Sequence, residues 1–283
     1  MKSREPDARP NGWAREFLRQ VPSPVKRVAA FVSKTLVIAE LELRKIRHDP
    51  TELLTRAIQP ALWLLVFGQV FGRARAIPTG GLPYLDFMAP GILAQSVLFI
   101  AIFHGIAIIW ERDLGLVHKL LATPTPRTAL VLGKGISAGA RALSQVAIVY
   151  VLALLLGVRI NWHPLALAGV LSIAILGAAC FSILSLIIAC WVKTRERFMG
   201  IGQVLTMPLF FASNAIYPIS MMPEWLKVVS HLNPLTYEVD ALRALMLAGG
   251  TSVIGLVPDL GVLLMATLVL VIIGGWMYPR IAV

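Results

Sequence analysis

The sequence predicts an all-α integral membrane protein with six transmembrane helices, and its composition leads to this prediction. Of the 283 residues, 57% are apolar and 14% are charged, whereas a soluble domain is about 45–50% apolar and about 25% charged. This excess of apolar residues excludes a disulfide-rich secreted scaffold, a disordered chain and a cytosolic enzyme of ordinary composition. The net charge of +11 would suggest nucleic-acid binding in a soluble protein, but in a membrane protein it indicates basic cytoplasmic loops.

Six stretches without charged residues account for the predicted spans, because a helix needs about 20 apolar residues to cross a bilayer core. The first and third are short, but Arg56 and Arg141 in their flanks could extend to the head groups. A further stretch, Ala244–Pro258, is short and glycine-containing, and we interpret it as a loop or re-entrant turn. Five or seven spans are the alternatives. The six stretches are Ala57–Gly72, Phe87–Trp110, Ala142–Val158, Ile160–Val192, Phe198–Pro223 and Leu260–Pro279.

The distribution of basic residues predicts the orientation of these spans. With the N-terminus inside, 21 of the 26 Lys and Arg residues fall on the inner side and 5 on the outer side. Cytoplasmic loops of membrane proteins carry such an excess of Lys and Arg. The sequence therefore predicts that both termini are cytoplasmic and that the number of spans is even.

The chain is expected to divide into three parts. Residues 1–25 are polar and rich in Pro and Arg, and we interpret them as a flexible cytoplasmic tail. Residues 26–48 show apolar side chains at spacings of three and four, which predicts an amphipathic helix at the inner membrane interface or, alternatively, one packed on another protein. Residues 49–283 form the six-helix transmembrane domain.

A cytoplasmic segment between the second and third spans, residues 111–126, is the first candidate functional element. Leu116, Leu120 and Leu121 occur at helical spacing among charged residues, and Pro124 ends the run. A short exposed helix with an apolar stripe is suited to docking a partner, although it could instead fold back on its own bundle. Further along, basic residues every seven positions, including Lys134, are expected to contact lipid phosphates or a partner.

The second candidate element is an external re-entrant segment, residues 218–252. A helix break is expected near Tyr217-Pro218 because proline interrupts helices. The pattern then predicts a short amphipathic helix over Pro223–Leu232, a turn at Asn233-Pro234 and another helix over Leu235–Leu247. Two such helices in the outer leaflet would either shape an exit for an amphiphile or form a rigid cap.

Several kinds of chemistry lack a sequence signal in this chain. There is no phosphate-binding Gly-x-x-x-x-Gly-Lys-Ser/Thr motif, no metal-ligand spacing and no setting for a catalytic serine. The predicted spans carry neutral polar residues rather than the charged groups of ion-coupled carriers. The chain is therefore expected to be neither an enzyme nor an ion-driven carrier. Candidate residues of a substrate pathway are Gln95, Phe99, Gln203 and Asn214.

Two motifs resemble those of type-2 ABC exporter permeases (ABC-2). The cytoplasmic segment is similar to the coupling loop of that family, with Asp113 where glutamate is usual. The external segment is similar to the family's C-terminal signature. The resemblance covers most of the chain and is strongest to the daunorubicin/doxorubicin resistance branch. The matching residues are Glu111, Arg112, Asp113, Gly115, Leu120, Leu121 and Pro124 in the first motif, and Pro223, Pro234, Tyr237 and Arg243 in the second.

The resemblance implies a partnership that composition cannot show. Two permease subunits, here expected to be a homodimer, would work with two copies of a cytoplasmic P-loop ATPase that binds ATP and Mg. It implies that residues 111–123 dock in the ATPase and that residues 26–48 are the family's connecting helix. Such an exporter would move an amphiphilic drug, lipid or lipid-linked glycan out through the inner or plasma membrane. The alternative is a membrane scaffold or sensor that recruits an ATPase without transporting anything.

Overall fold

The computed structural model describes residues 57–74, 77–121, 127–192 and 194–282, and within these ranges the chain is a bundle of α-helices. The predicted tail 1–25 and the predicted interfacial helix 26–48 lie outside the described residues. The helices are the run 57–74 (α1), which contains a π-helical segment at Trp63–Phe67, then Tyr84–Asp113 (α2), Leu116–Leu121 (α3), Arg127–Leu155 (α4), Pro164–Ala189 (α5), Arg195–Phe211 (α6), Glu224–Leu232 (α7), Pro234–Met246 (α8) and Leu256–Met277 (α9), followed by a 3₁₀ segment at Tyr278–Ala282.

The helices overlap the predicted apolar stretches, although α4 begins at Arg127, ahead of the third stretch, and the all-helical prediction is confirmed for the described residues. Four segments are long and apolar enough to cross a membrane: Tyr84–Asp113, Leu130–Leu155, Pro164–Ala189 and Leu256–Arg280. Helices α1 and α6 occupy the first and fifth predicted stretches but are shorter. The chain is thus a multi-pass membrane protein, whereas the count of six spans and the cytoplasmic termini stay predictions.

Helices α2 and α5 form the centre of the bundle. Helix α5 packs against α2, α4, α8 and α9, and α2 also contacts α4, α6 and α8. Small residues permit close approach of the backbones, as between Gly91 of α2 and the backbone of Ala215. In contrast, α9 exposes large apolar side chains such as Val257 and Trp276, which suits a face turned toward lipid.

The helical hairpin α7–α8 confirms two of the predicted helices. Helix α8 begins directly after Asn233, whose side-chain oxygen accepts a hydrogen bond from the backbone N–H of Leu235 at 3.0 Å and caps the helix. The two helices meet at this single residue, so the chain reverses sharply, as the Asn-Pro signal predicts. Helix α8 packs against α2, α5 and α9 and is therefore part of the bundle.

Two predicted boundaries were wrong. Helix α6 ends at Phe211 rather than near Tyr217 because the Ser213 hydroxyl donates to the carbonyl of Phe210 at 2.7 Å and accepts from the N–H of Ala215. Such local hydrogen bonds compete with the helical ones. Helix α5 begins at Pro164 rather than Ile160, because Ile160 is held in an antiparallel bridge with Leu247.

Candidate functional site

The predicted coupling loop begins with a tight turn at the end of α2. Helix α2 ends at Asp113, and α3 begins at Leu116. Between them Gly115 has a φ of +72°, a left-handed conformation that glycine adopts readily. Its N–H donates to the carbonyl of Arg112 at 2.9 Å. We call residues 111–116 the coupling turn, after the coupling loop that the sequence resemblance predicts here.

Ion pairs connect the coupling turn to α4 and α6. The Lys134 ammonium of α4 donates to the Glu111 carboxylate. Asp113 accepts from Arg195, the first residue of α6, at 3.0 Å and from its neighbour Arg112 at 3.1 Å. The side chains of Lys134 and Glu111 are 21% and 25% exposed, and those of Arg195 and Asp113 are 36% and 40% exposed. A displacement of the coupling turn would therefore act directly on two other helices.

Further contacts fix the Arg195 side of the turn. The Arg195 guanidinium lies 3.6 Å from the centre of the exposed Trp110 ring, a cation–π contact. Arg112 donates to the carbonyl of Val192, after the end of α5, at 3.3 Å. The coupling turn thus contacts the connection between α5 and α6. Lys134 was expected to contact lipid phosphates or a partner, whereas in the structure it forms an ion pair with Glu111.

Helix α3 is partly buried and partly exposed. Val117 is fully buried in an apolar cluster that includes Tyr278, while Leu116 is 41% exposed. The helix therefore packs on its own bundle through Val117 and presents Leu116 outward. The side chains of Leu120 and Leu121, together with Pro124, lie outside the described part of the structure.

The signature residues of the external segment build the hairpin at the opposite end of the bundle. Pro223 precedes α7 and Pro234 is the first residue of α8. The Tyr237 hydroxyl donates to the carbonyl of His231 at 2.7 Å, which joins the two helices. Arg243 is buried and donates to the carbonyl of Asn214 at 2.7 Å. This motif therefore holds the hairpin together and attaches it to the segment after α6.

The four predicted pathway residues do not meet in one site. Asn214 lines a cavity of about 320 Å³ together with Arg243 of α8. Phe99 lines a smaller cavity of about 180 Å³ between α1, α2 and α4, together with Gln145. Gln95 is buried in α2, and Gln203 is exposed on α6.

Sequence reasoning missed the buried charged groups near the hairpin. Glu238, Asp240 and Asp259 are almost completely buried. The Asp240 carboxylate accepts from the Ser252 hydroxyl and from the backbone N–H groups of Val253 and Ile254, at 2.8–2.9 Å. Neither Glu238 oxygen has a hydrogen-bond partner among the described residues. The sequence contains no signal that these charged residues are buried, because α8 mixes charged and apolar residues as an exposed amphipathic helix does.

The fold and this site define a class of membrane protein: a multi-pass helical bundle with a charged turn at one end and a packed helical hairpin at the other. The family model described as ABC-2 type transporter matches residues 33–247. The chain therefore belongs to the ABC-2 type transporter family. The matched range includes both the coupling turn and the hairpin.

Curated proteins with similar sequences are named transport permeases. The chain is 28% identical to the "Putative transport permease ycf38" of Cyanophora paradoxa over 219 residues, which are 76% of this chain and 74% of that protein. It is 26% identical to the "Daunorubicin resistance ABC transporter permease protein DrrB1" of Streptomyces coeruleorubidus, over 83% of this chain and 82% of that protein. It is 25% identical to the "Inner membrane transport permease YadH" of Escherichia coli, over 75% and 80%.

Proposed function

We propose that this chain is the permease subunit of an ATP-driven exporter that moves an amphiphilic drug, lipid or lipid-linked glycan outward across the inner or plasma membrane. Permeases of this family generally work with an ATPase partner. In our proposal two permease copies, each with six spans and cytoplasmic termini, form a homodimer with two ATPase subunits. ATP and Mg bind to the ATPase, and the permease hydrolyses nothing.

The observation that carries this proposal is the geometry of the coupling turn. An ATPase that pushes or pulls on this turn would move α4 through the Glu111–Lys134 pair and α6 through the Asp113–Arg195 pair. Partly exposed ion pairs contribute little to stability, so their position at the end of three helices favours a role in transmission. The exposed Leu116 would provide apolar contact with the ATPase.

The substrate class rests on the cavities and on the relatives. The names of DrrB1 and of "Nodulation protein J" of Sinorhizobium fredii, which is 28% identical over 185 residues, associate such permeases with daunorubicin resistance and nodulation respectively. The cavity at Phe99 and the larger one at Asn214 lie at different levels of the bundle, and both have apolar and polar lining residues. Such mixed surfaces suit an amphiphile.

The test is reconstitution with a P-loop ATPase that co-purifies with the chain. Liposomes loaded with ATP-regenerating components would be assayed for stimulated ATP hydrolysis and for movement of daunorubicin or a fluorescent lipid. Asp113→Asn keeps the shape of the side chain but removes its charge, and it should reduce export several-fold while the ATPase stays bound.

The matched control is Glu224→Gln, which removes the charge from an exposed ion pair with Lys227 (2.7 Å) in the hairpin. It should leave export unchanged. Normal export by Asp113→Asn would show that the coupling turn does not transmit motion. A wild-type complex that hydrolyses ATP but moves neither probe would instead favour the scaffold function.

A further inference from the structure

The cavity lined by Asn214 and Arg243 lies where three connections of the chain meet. Its wall takes four residues from the 78–82 connection before α2, residues 218–220 after α6 and three residues from the 249–253 connection after α8. Phe87, Asn214 and Arg243 contribute from deeper in the bundle. The predicted orientation places this end of the bundle on the outer side. A volume of about 320 Å³ is at the lower limit for ligand pockets, so it suits a head group rather than a whole amphiphile.

The Arg243 guanidinium is held in a fixed position in this wall. Its Nε and Nη2 both lie 3.4 Å from the carbonyl oxygen of Phe87, and Nη2 also donates to the carbonyl of Asn214 at 2.7 Å. Its central carbon lies 3.9 Å from the centre of the Phe87 ring. A side chain that is only 5% exposed and anchored in this way loses little conformational entropy when it binds a ligand.

Two polar groups in the wall have unused hydrogen-bonding capacity. Among the described residues, Nη1 of Arg243 has only a long contact of 3.9 Å with Asp240. The Asn214 side-chain oxygen, which can only accept a hydrogen bond, is buried without a partner among those same residues. Buried polar groups normally have partners. Because Nη1 of Arg243 is a donor, the cavity beside it is suited to a ligand that accepts hydrogen bonds.

The charge distribution favours an acidic ligand. Asp240 is fully buried and does not line the cavity. Its Oδ2 accepts three hydrogen bonds from residues 252–254, while its Oδ1 is the atom near Arg243. Arg243 is the charged residue among those that line the cavity, and the Asp240 carboxylate lies 3.9 Å from its Nη1. Arginine binds phosphate and carboxylate oxygens through charge-assisted hydrogen bonds, which are stronger than neutral ones.

We propose that this cavity binds the phosphate or carboxylate head group of an amphiphile on the outer side of the membrane, with Arg243 as its donor. The acyl chains stay in the surrounding lipid. The cavity is then a subsite on the release side of the exporter, and this assignment rests on the proposed function.

The test is a binding measurement on the whole chain in phosphatidylcholine nanodiscs. Dioctanoyl phosphatidic acid is the probe, and dioctanoylglycerol, which has the same acyl chains without the phosphate, is the comparison. Phosphatidic acid should bind about tenfold more tightly or better, and Arg243→Gln should remove the difference. Because Arg243 also supports the fold, Thr251→Trp provides a second variant that fills the mouth of the cavity from an exposed position. It should likewise abolish preferential binding.

The matched control is Lys227→Gln, which removes a basic residue of the hairpin that does not line the cavity. It should bind as the wild type does. Equal binding of both probes, or unchanged binding by Thr251→Trp, would overturn the inference. Displacement of the lipid by an equal concentration of inorganic phosphate would assign the cavity to free anions and overturn the amphiphile assignment. The binding assay requires no ATPase, so the absence of lipid binding would not contradict the proposed export function. Conversely, the absence of ATP-driven export would not contradict a measured preference for phosphatidic acid.

Discussion

Replacing Gly115 with alanine should impair coupling by a backbone effect alone. The φ of +72° is unfavourable for any residue with a Cβ atom, while a Cβ built at this position meets no atom within 4 Å. The left-handed conformation costs such residues about 1–2 kcal/mol. For a chain of this size that corresponds to a decrease of roughly 2–8 °C in unfolding temperature, unless α3 shifts to relieve the strain. Either response changes the geometry of the turn.

The chain contains a matched control for this experiment. Gly157, after the end of α4, has a φ of +77° and likewise no atom within 4 Å of a built Cβ. Gly157→Ala should therefore lower the unfolding temperature by a similar amount, but at the end of the bundle opposite the coupling turn. Thermal unfolding in nanodiscs measures the strain, and stimulated ATP hydrolysis in the reconstituted complex measures coupling.

The two variants should have similar unfolding temperatures but differ in stimulated ATP hydrolysis. We expect Gly115→Ala to reduce stimulated hydrolysis several-fold and Gly157→Ala to preserve it. An equal loss in both variants would mean that reduced stability, rather than the turn, is responsible. Full coupling in Gly115→Ala despite a lower unfolding temperature would refute the role of the turn geometry.

Three further predictions concern packing and protonation. Gly177→Ala should lower the unfolding temperature because its Cβ would overlap the Glu238 carboxyl group, an overpacking that costs about 1–3 kcal/mol; Gly133→Ala, with no atom within 4 Å, should be neutral or stabilising. Burial raises the pKa of Glu238 well above its ordinary value of 4.5. The protonated Glu238 side chain therefore contributes its full stabilisation below pH 4.5, and the free energy of unfolding falls by about 1.4 kcal/mol per pH unit as the pH rises from there to the pKa of the folded state. Glu238→Gln should therefore gain unfolding temperature relative to the wild type as the pH is raised, and a constant difference would contradict this. Val117→Ala should destabilise the chain by about 1–2 kcal/mol, whereas Leu116→Ala at the exposed position should leave the unfolding temperature unchanged and weaken co-purification with the ATPase.

The sequence predicts the helices well because the signals that define them are local. Runs without charged residues mark the long helices, and Pro223 and the Asn233-Pro234 pair mark the hairpin, where side-chain capping and the fixed φ of proline act within a few residues. The boundaries fail where longer-range or competing contacts decide. Ile160 leaves the helical run because its partner is Leu247, which is distant in sequence.

The candidate sites were predictable as segments but not as contacts. The charged residues at the end of α2 indicate a docking element, yet their partners Lys134 and Arg195 lie 23 and 82 positions away in the chain. Nothing in the spacing of Glu111 and Asp113 selects those two among the many basic residues. Only packing of α4 and α6 against α2 brings them together, so the ion pairs between these helices are a property of the tertiary structure.

The buried charges of α8 show the same limit more clearly. Asp240 and Arg243 are three residues apart and lie on one face of the helix, whereas Glu238 lies on another, a pattern that a solvated helix also shows. Their burial follows from the contact of α8 with three helices at once and from the 252–254 segment, which donates its hydrogen bonds to Asp240. A buried charge persists only when such partners satisfy it or when it is protonated. Hydrogen bonds satisfy Arg243 and Asp240, and burial raises the pKa of Glu238. The helix that resembles a surface element in the sequence is therefore a polar core of the hairpin.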